Sequence, residues 1–143
     1  MNKDFIENIK RIAVYIRFDI ENEHNLSMVN EVINALFEII TNNEMCEHIS
    51  KIRPDINLIR SEECGKNIGT VSDFLLTSFT IVNDNLTHKK YSEAYDIADM
   101  IQGLPDYDYL KNKSNMNSYY NNYVKPIITK YNYTKLNNIK DEI

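Results

Sequence analysis

Apolar residues recur at steps of three and four along most of this chain, the spacing that lines one face of a helix. Phe5, Ile6, Ile9, Ile12, Ala13 and Ile16 make the first such stripe. Lys10, Arg11 and Arg17 follow its acidic start, in the order a helix macrodipole favours. Residues 19–25 then read as a polar, acidic connection. Ser27 is a candidate N-cap for a second stripe of Val29, Val32, Ile33, Leu36, Phe37 and Ile40, which 41–43 interrupt. A shorter helix with Met45, Ile49 and Ile52 inward ends before Pro54, whose predecessor is pushed out of helical geometry.

The second half continues the pattern. Residues 54–69 predict at most one turn through Ile56 and Ile59, then a loop carrying Gly65 and Gly69. Thr70 with Asp73 is an acidic capping box opening a helix with Val71, Phe74, Leu75, Ser78, Val82 and Leu86 on its buried face. The β-branched content of 77–82 leaves a strand open there. After a connector at 84–88, a helix over residues 90–102 buries Tyr91, Ala94, Tyr95, Ala98 and Ile101 and is stopped by Gly103-Leu104-Pro105. A last helix over 117–131 places Tyr120, Val124, Ile127, Ile128 and Tyr131 inside, with Pro126 expected to kink or delay it. Residues 132–143 read as a weakly ordered tail with one turn around Leu136 and Ile139. Short connections favour antiparallel neighbours, so the expected architecture is all-α: one domain over 1–143, a bundle of five to seven mostly antiparallel helices.

Composition supports that reading. Three Gly and three Pro in 143 residues are too few for a turn-rich β fold, and 43% hydrophobic content is enough for a packed core. No apolar run reaches the ~18 residues of a membrane span. The polar start does not resemble a signal peptide, and Cys46 and Cys64 are then expected to be reduced thiols in a cytoplasmic protein. The net charge of −5 is uneven: residues 1–105 carry 10 Lys/Arg against 17 Asp/Glu, and residues 106–143 carry 6 against 4. An acidic body repels phosphate backbones, which argues against direct nucleic-acid binding, and attracts a basic protein.

Catalytic chemistry finds little footing. Cys46, His48, Cys64, His24 and His88 are metal-ligand types without metal-ligand spacing. No cofactor loop or nucleophile motif is present, so no catalytic, cofactor or metal residue is assigned. Asp96-x-x-Asp99 brings two carboxylates near each other on a helix surface, where solvation or capping explains them better than a divalent ion does. Nine of the ten tyrosines fall between Tyr91 and Tyr133. Tyrosine is enriched at interfaces, yet it also substitutes for Phe and Trp in cores, and the pattern leaves both readings open.

Two segments resemble a known family. The run from Tyr91 through Tyr95-Asp96-Ile97-Ala98-Asp99 to Gly103-Leu104-Pro105 resembles a Tyr-x-x-Ala-Tyr-Asp-Leu-Ala-Asp pattern of small helical bacterial proteins, which ends in His-Asn-Leu-Pro. Here Gln102-Gly103 stands in place of His-Asn. The run Tyr119-Tyr120-Asn121-Asn122-Tyr123-Val124-Lys125-Pro126 through Lys130-Tyr131 is similar to their second signature. Together these segments cover 28 residues, about a fifth of the chain. Some members are immunity partners in polymorphic-toxin or contact-dependent growth inhibition systems. The resemblance implies a cytoplasmic inhibitor that binds a toxin domain, often a nuclease, without turnover. Expected partner contacts are Asp19, Glu21 and Glu23 on the first connection, and Asp96, Asp99, Asp106, Tyr107 and Asp108 around the end of the 90–102 helix. The alternative partner is a second copy of the chain, packed through the tyrosine-rich segment as a homodimeric adaptor.

Overall fold

Seven α-helices and two irregular helical segments make up most of the described chain. The computed structural model describes residues 3–22, 26–39, 45–59, 70–106, 109 and 112–142, and the structural statements below concern these. The helices are α1 (Lys3–Glu21), α2 (Leu26–Ile39), α3 (Met45–Ile52), α4 (Thr70–Thr87), α5 (Tyr91–Gln102), α6 (Lys113–Tyr119) and α7 (Lys125–Tyr131). A π-helical turn, Tyr120–Val124, joins α6 to α7, and a 3-10 helix, Thr134–Glu142, follows. Among the described residues there is no strand, so the β-branched stretch in α4 is helical. None of the described helices is long and apolar enough to cross a membrane.

The centre of the bundle is α5, packed between α1 and α4. Its small residues Ala94 and Ala98, both fully buried, let those neighbours approach closely. Ile97, Met100 and Ile101 complete its inner face, while Tyr91 and Tyr95 pack only partly buried at the core's edge. The apolar stripe of α1 is buried as its spacing predicts, through Ile6, Ile9, Ile12, Ala13 and Ile16. Helix α2 covers α1, α3 and α4 with Val29, Val32 and Ile33 inward.

Several boundaries depart from the sequence expectation. Helix α1 continues to Glu21, so Asp19 is helical and lies on the buried face instead of in a polar connection. Asp19 is 0% exposed, which removes it as a partner contact. Ser27 sits inside α2 instead of capping it. The expected connector at 84–88 is mostly the last turn of α4, and Asn85 is buried there. Residues 53–59 hold one hydrogen-bonded turn, with the Ile56 N–H on the Arg53 carbonyl at 3.1 Å, and Ile56 and Leu58 are buried. Instead of a weak tail, the 3-10 helix docks on α4 with Leu136 and Ile139 fully buried. The side chains of Leu36, Phe37, Ile40, Met45, Val71 and the Thr70–Asp73 capping box lie outside the described residues, as do those of Cys46, His48, Cys64 and His24.

Of the kink and the delay expected of Pro126, the structure shows a delayed restart. Pro126 lacks an N–H, so it cannot donate into the preceding turn. The helix accommodates it by widening: the Lys125 N–H bonds the Tyr120 carbonyl five residues back, and α7 restarts with Pro126 in its first turn. Helix α7 then ends at Asn132, a left-handed C-cap at φ 63°.

Candidate functional site

Two buried polar anchors tie the N-terminal half together. The Arg53 guanidinium, just after α3, donates to the Asp19 carboxylate and makes two bonds to Asp55, at 2.9 and 2.8 Å. Asp55 first, and then Asp19, hold the Arg53 pKa above the usual arginine value. The Tyr15 ring lies beneath the same guanidinium, 5.7 Å from its centroid. One turn into α1, buried Asn8 pairs with the backbone of Ile59 in both directions, at 2.9 and 2.7 Å. These contacts fasten the 53–59 segment along α1. They belong to the fold.

The acids of α5 are engaged in a comparable way. Asp99 accepts from Arg17 of α1 at 2.7 Å and raises the Arg17 pKa, and Asp106 accepts from Lys10 at 2.9 Å. Position 10 pairs with 106 and position 17 with 99, so α1 and α5 run antiparallel. On the other side, Asp96 accepts the Tyr131 hydroxyl and the Lys130 ammonium, the latter at 3.2 Å. Glu93 accepts the Tyr133 hydroxyl at 2.6 Å, and buried Asn85 shares that hydroxyl. Burial first, then the carboxylate bond, raises the pKa of both Tyr131 and Tyr133.

Of the expected contacts, then, Asp96, Asp99 and Asp106 line the bundle's seams with intramolecular partners. Glu21 is exposed at the end of α1 and has no hydrogen bond or ion pair among the described residues. Glu23, Tyr107 and Asp108 lie outside the described residues.

The tyrosines divide between core and surface. The Leu104 N–H bonds Ile101, so the Met100 carbonyl at the end of α5 takes its bond from the buried Tyr119 hydroxyl instead, at 2.7 Å. Burial pushes the Tyr119 phenol well above its ordinary pKa. Tyr120, also buried, donates to Asn137 of the 3-10 helix at 2.7 Å. Tyr123 and Tyr109 face outward, 43% and 62% exposed. The Tyr123 ring stacks on Tyr119 with centroids 5.5 Å apart.

Between these rings lies a cleft of about 200 Å³, bounded by Gly103, Pro105, Asn115, Tyr109, Tyr119 and Tyr123. Gly103 is required there by close approach: a Cβ would sit 2.6 Å from Cε1 of Tyr123. Its φ of −71° is ordinary, so the constraint is space and not conformation. Asn115 fixes the mouth by donating to the Tyr109 carbonyl at 3.1 Å, which leaves its amide oxygen available as an acceptor. At the other end of α5, a second cleft of about 310 Å³ lies between Ile20, Glu21, Tyr91, Ser92, Tyr95 and Asp96.

No family model, curated protein or solved structure matches the chain. What the geometry adds is that residues 91–105 and 119–131 are one packed unit. Gly103 seats Tyr123, Tyr119 caps the end of α5, and Asp96 receives Tyr131.

The two clefts escaped the sequence reading, which placed Tyr91 and Tyr95 inside. A glycine at a helix stop together with a Tyr-x-x-x-Tyr repeat is the signal that could have paired Gly103 with Tyr119 and Tyr123. The Asp19 anchor also had a signal: Ile12, Ile16 and Asp19 fall on one helical face.

Proposed function

We propose that this chain is an immunity protein: it binds a basic toxin domain stoichiometrically and neutralises it by occlusion, without turnover. The observation that carries the reading is the Tyr109–Tyr123 cleft. Two rings stand exposed at its mouth on a floor of buried Tyr119, with the stack already formed. The Tyr123 ring, held on Tyr119 before association, loses little entropy on binding, which suits a protein-recognition anchor. The net charge of −5 supports a basic partner by speeding encounter. Asp106 lies at the same end, its side chain 75% exposed beyond its bond to Lys10.

The test is co-expression with the toxin-length C-terminal domain of the neighbouring reading frame. The expected result is restored growth and a 1:1 complex. The double variant Tyr109→Ala/Tyr123→Ala should weaken that complex by about 30-fold, roughly 2 kcal/mol. Growth arrest undiminished by the wild-type chain would contradict the reading. Full rescue by the double variant would remove the cleft from it.

Self-association has one observation in its favour. Val14 and Phe18 lie exposed one turn apart on α1, with Phe18 54% exposed. Light scattering separates the readings: a monomer at micromolar concentration favours the toxin-binding one, and a stable dimer lost on Phe18→Lys favours the other.

A further inference from the structure

Along the antiparallel seam of α1 and α5, the first two rungs each match a cation of α1 with an acid, Lys10 with Asp106 and Arg17 with Asp99. The third rung has no cation on α1. Glu21 stands on one wall and Asp96 on the other, and the chain leaves the cleft of about 310 Å³ between them. We propose that this cleft receives a guanidinium side chain from the protein partner, completing the rung from outside. The inference rests on the reading of the chain as a binder of a basic protein, and it names the residue type that the partner would insert.

Four features of the cleft fit a guanidinium. Glu21 has no ion pair among the described residues, and Asp96 uses only its Oδ2 oxygen, for Tyr131 and Lys130. Its other oxygen remains an acceptor. Tyr91 and Tyr95, both half-buried, supply ring surface, and neither hydroxyl is hydrogen-bonded among the described residues. Tyr95 already holds one guanidinium, that of Arg17, 5.8 Å from its ring centroid. Arg17 is shared between Asp99 and, through space, Glu21, so Glu21, Asp96 and Asp99 set against Arg17 and Lys130 leave one negative charge at the cleft. A planar, weakly hydrated cation that stacks on rings and forks onto carboxylates suits this lining better than a compact ammonium does.

The experiment titrates the full-length chain with N-acetyl-arginine methylamide, followed by NMR of the backbone and tyrosine rings. The lysine and norleucine analogues serve as comparisons. Saturable shifts are expected at Ile20, Glu21, Tyr91, Ser92 and Tyr95 with the arginine probe. Glu21→Gln should weaken them about threefold. Ser92→Lys, an exposed change that leaves the core intact, should abolish them by placing a charge at the mouth. Shifts scattered over the acidic surface, or unchanged by both variants, would overturn the proposal. So would equal affinity for the lysine analogue, because it removes the preference for a guanidinium. The same variants measured against the toxin domain keep the two proposals apart. Toxin binding untouched by Ser92→Lys sinks the cleft alone. Arginine binding in the cleft without any toxin complex sinks the immunity reading alone.

Discussion

The two halves of this bundle solve the same problem with different chemistry. The N-terminal half buries charge: Arg53 meets Asp19 beneath α1, and Asn8 grips the Ile59 backbone. The C-terminal half relies on neutral phenols, with Tyr119 buried on the Met100 carbonyl and the partly buried Tyr131 and Tyr133 on Asp96 and Glu93. A buried charge stripped of its partner is far more costly than a phenol replaced by a phenyl ring. The contrast also separates acids engaged within the fold from Glu21, which has no ion pair among the described residues. Asp19 and Asp99 are held by arginines, and Asp96 by Tyr131 and Lys130 through one oxygen.

Breaking the charged anchor should have the largest effect. Asp19→Ala leaves Arg53 buried beside Asp55 alone and should cost about 3–5 kcal/mol, read as a lowered urea midpoint. A loss below about 1 kcal/mol would mean that Asp55 suffices and that the two halves are less different than their geometry implies.

Tyr119→Phe comes next. It leaves the Met100 carbonyl buried without a donor and should cost about 1–3 kcal/mol in the same assay. Tyr131→Phe and Tyr133→Phe remove bonds from partly buried rings and should each cost about 1 kcal/mol.

These three phenols also set the alkaline limit. Each has a folded pKa raised above the ordinary value of 10.0, because burial favours the neutral form. Their stabilisation is therefore complete below pH 10.0 and is lost as pH climbs from there through the raised folded values. Thermal melts between pH 8 and 11 should show stability falling above pH 10, less steeply in Tyr119→Phe than in the wild type. Equal slopes would contradict the assignment.

The smallest stability change belongs to the cleft. Gly103→Ala should push the Tyr123 ring aside at a cost below about 1 kcal/mol, because the ring is partly exposed and the backbone there suits alanine. Its effect should appear in partner binding and in loss of the Tyr119–Tyr123 stack.

Much of the fold was legible because helical periodicity is a local signal. The apolar stripes of α1, α4 and α5 and the stop at Gly103 follow from spacing and residue type alone. Asp19 was misread because its charge suggested solvent, and only the tertiary position of Arg53 makes its burial tolerable. The 132–143 segment was misread because its two buried anchors, Leu136 and Ile139, take their meaning from contact with α4. The tyrosine question could not be decided from composition. Tyr119 and Tyr123 lie four residues apart in one helical stretch, yet one ring is buried and the other forms a cleft wall. The clefts themselves arise where helices meet, so no single stretch of sequence encodes them.

Hydrogen exchange on the chain alone and in a 1:1 mixture with the C-terminal domain of the neighbouring reading frame is the sharpest test of the proposed toxin binding. Added protection is expected on Tyr109 and the Tyr119–Tyr123 turn, and at the Glu21–Tyr91 end of the α1/α5 seam. The buried Asp19–Arg53 anchor should not change. Protection absent from both clefts, or confined to the Val14–Phe18 face of α1, would contradict the proposal.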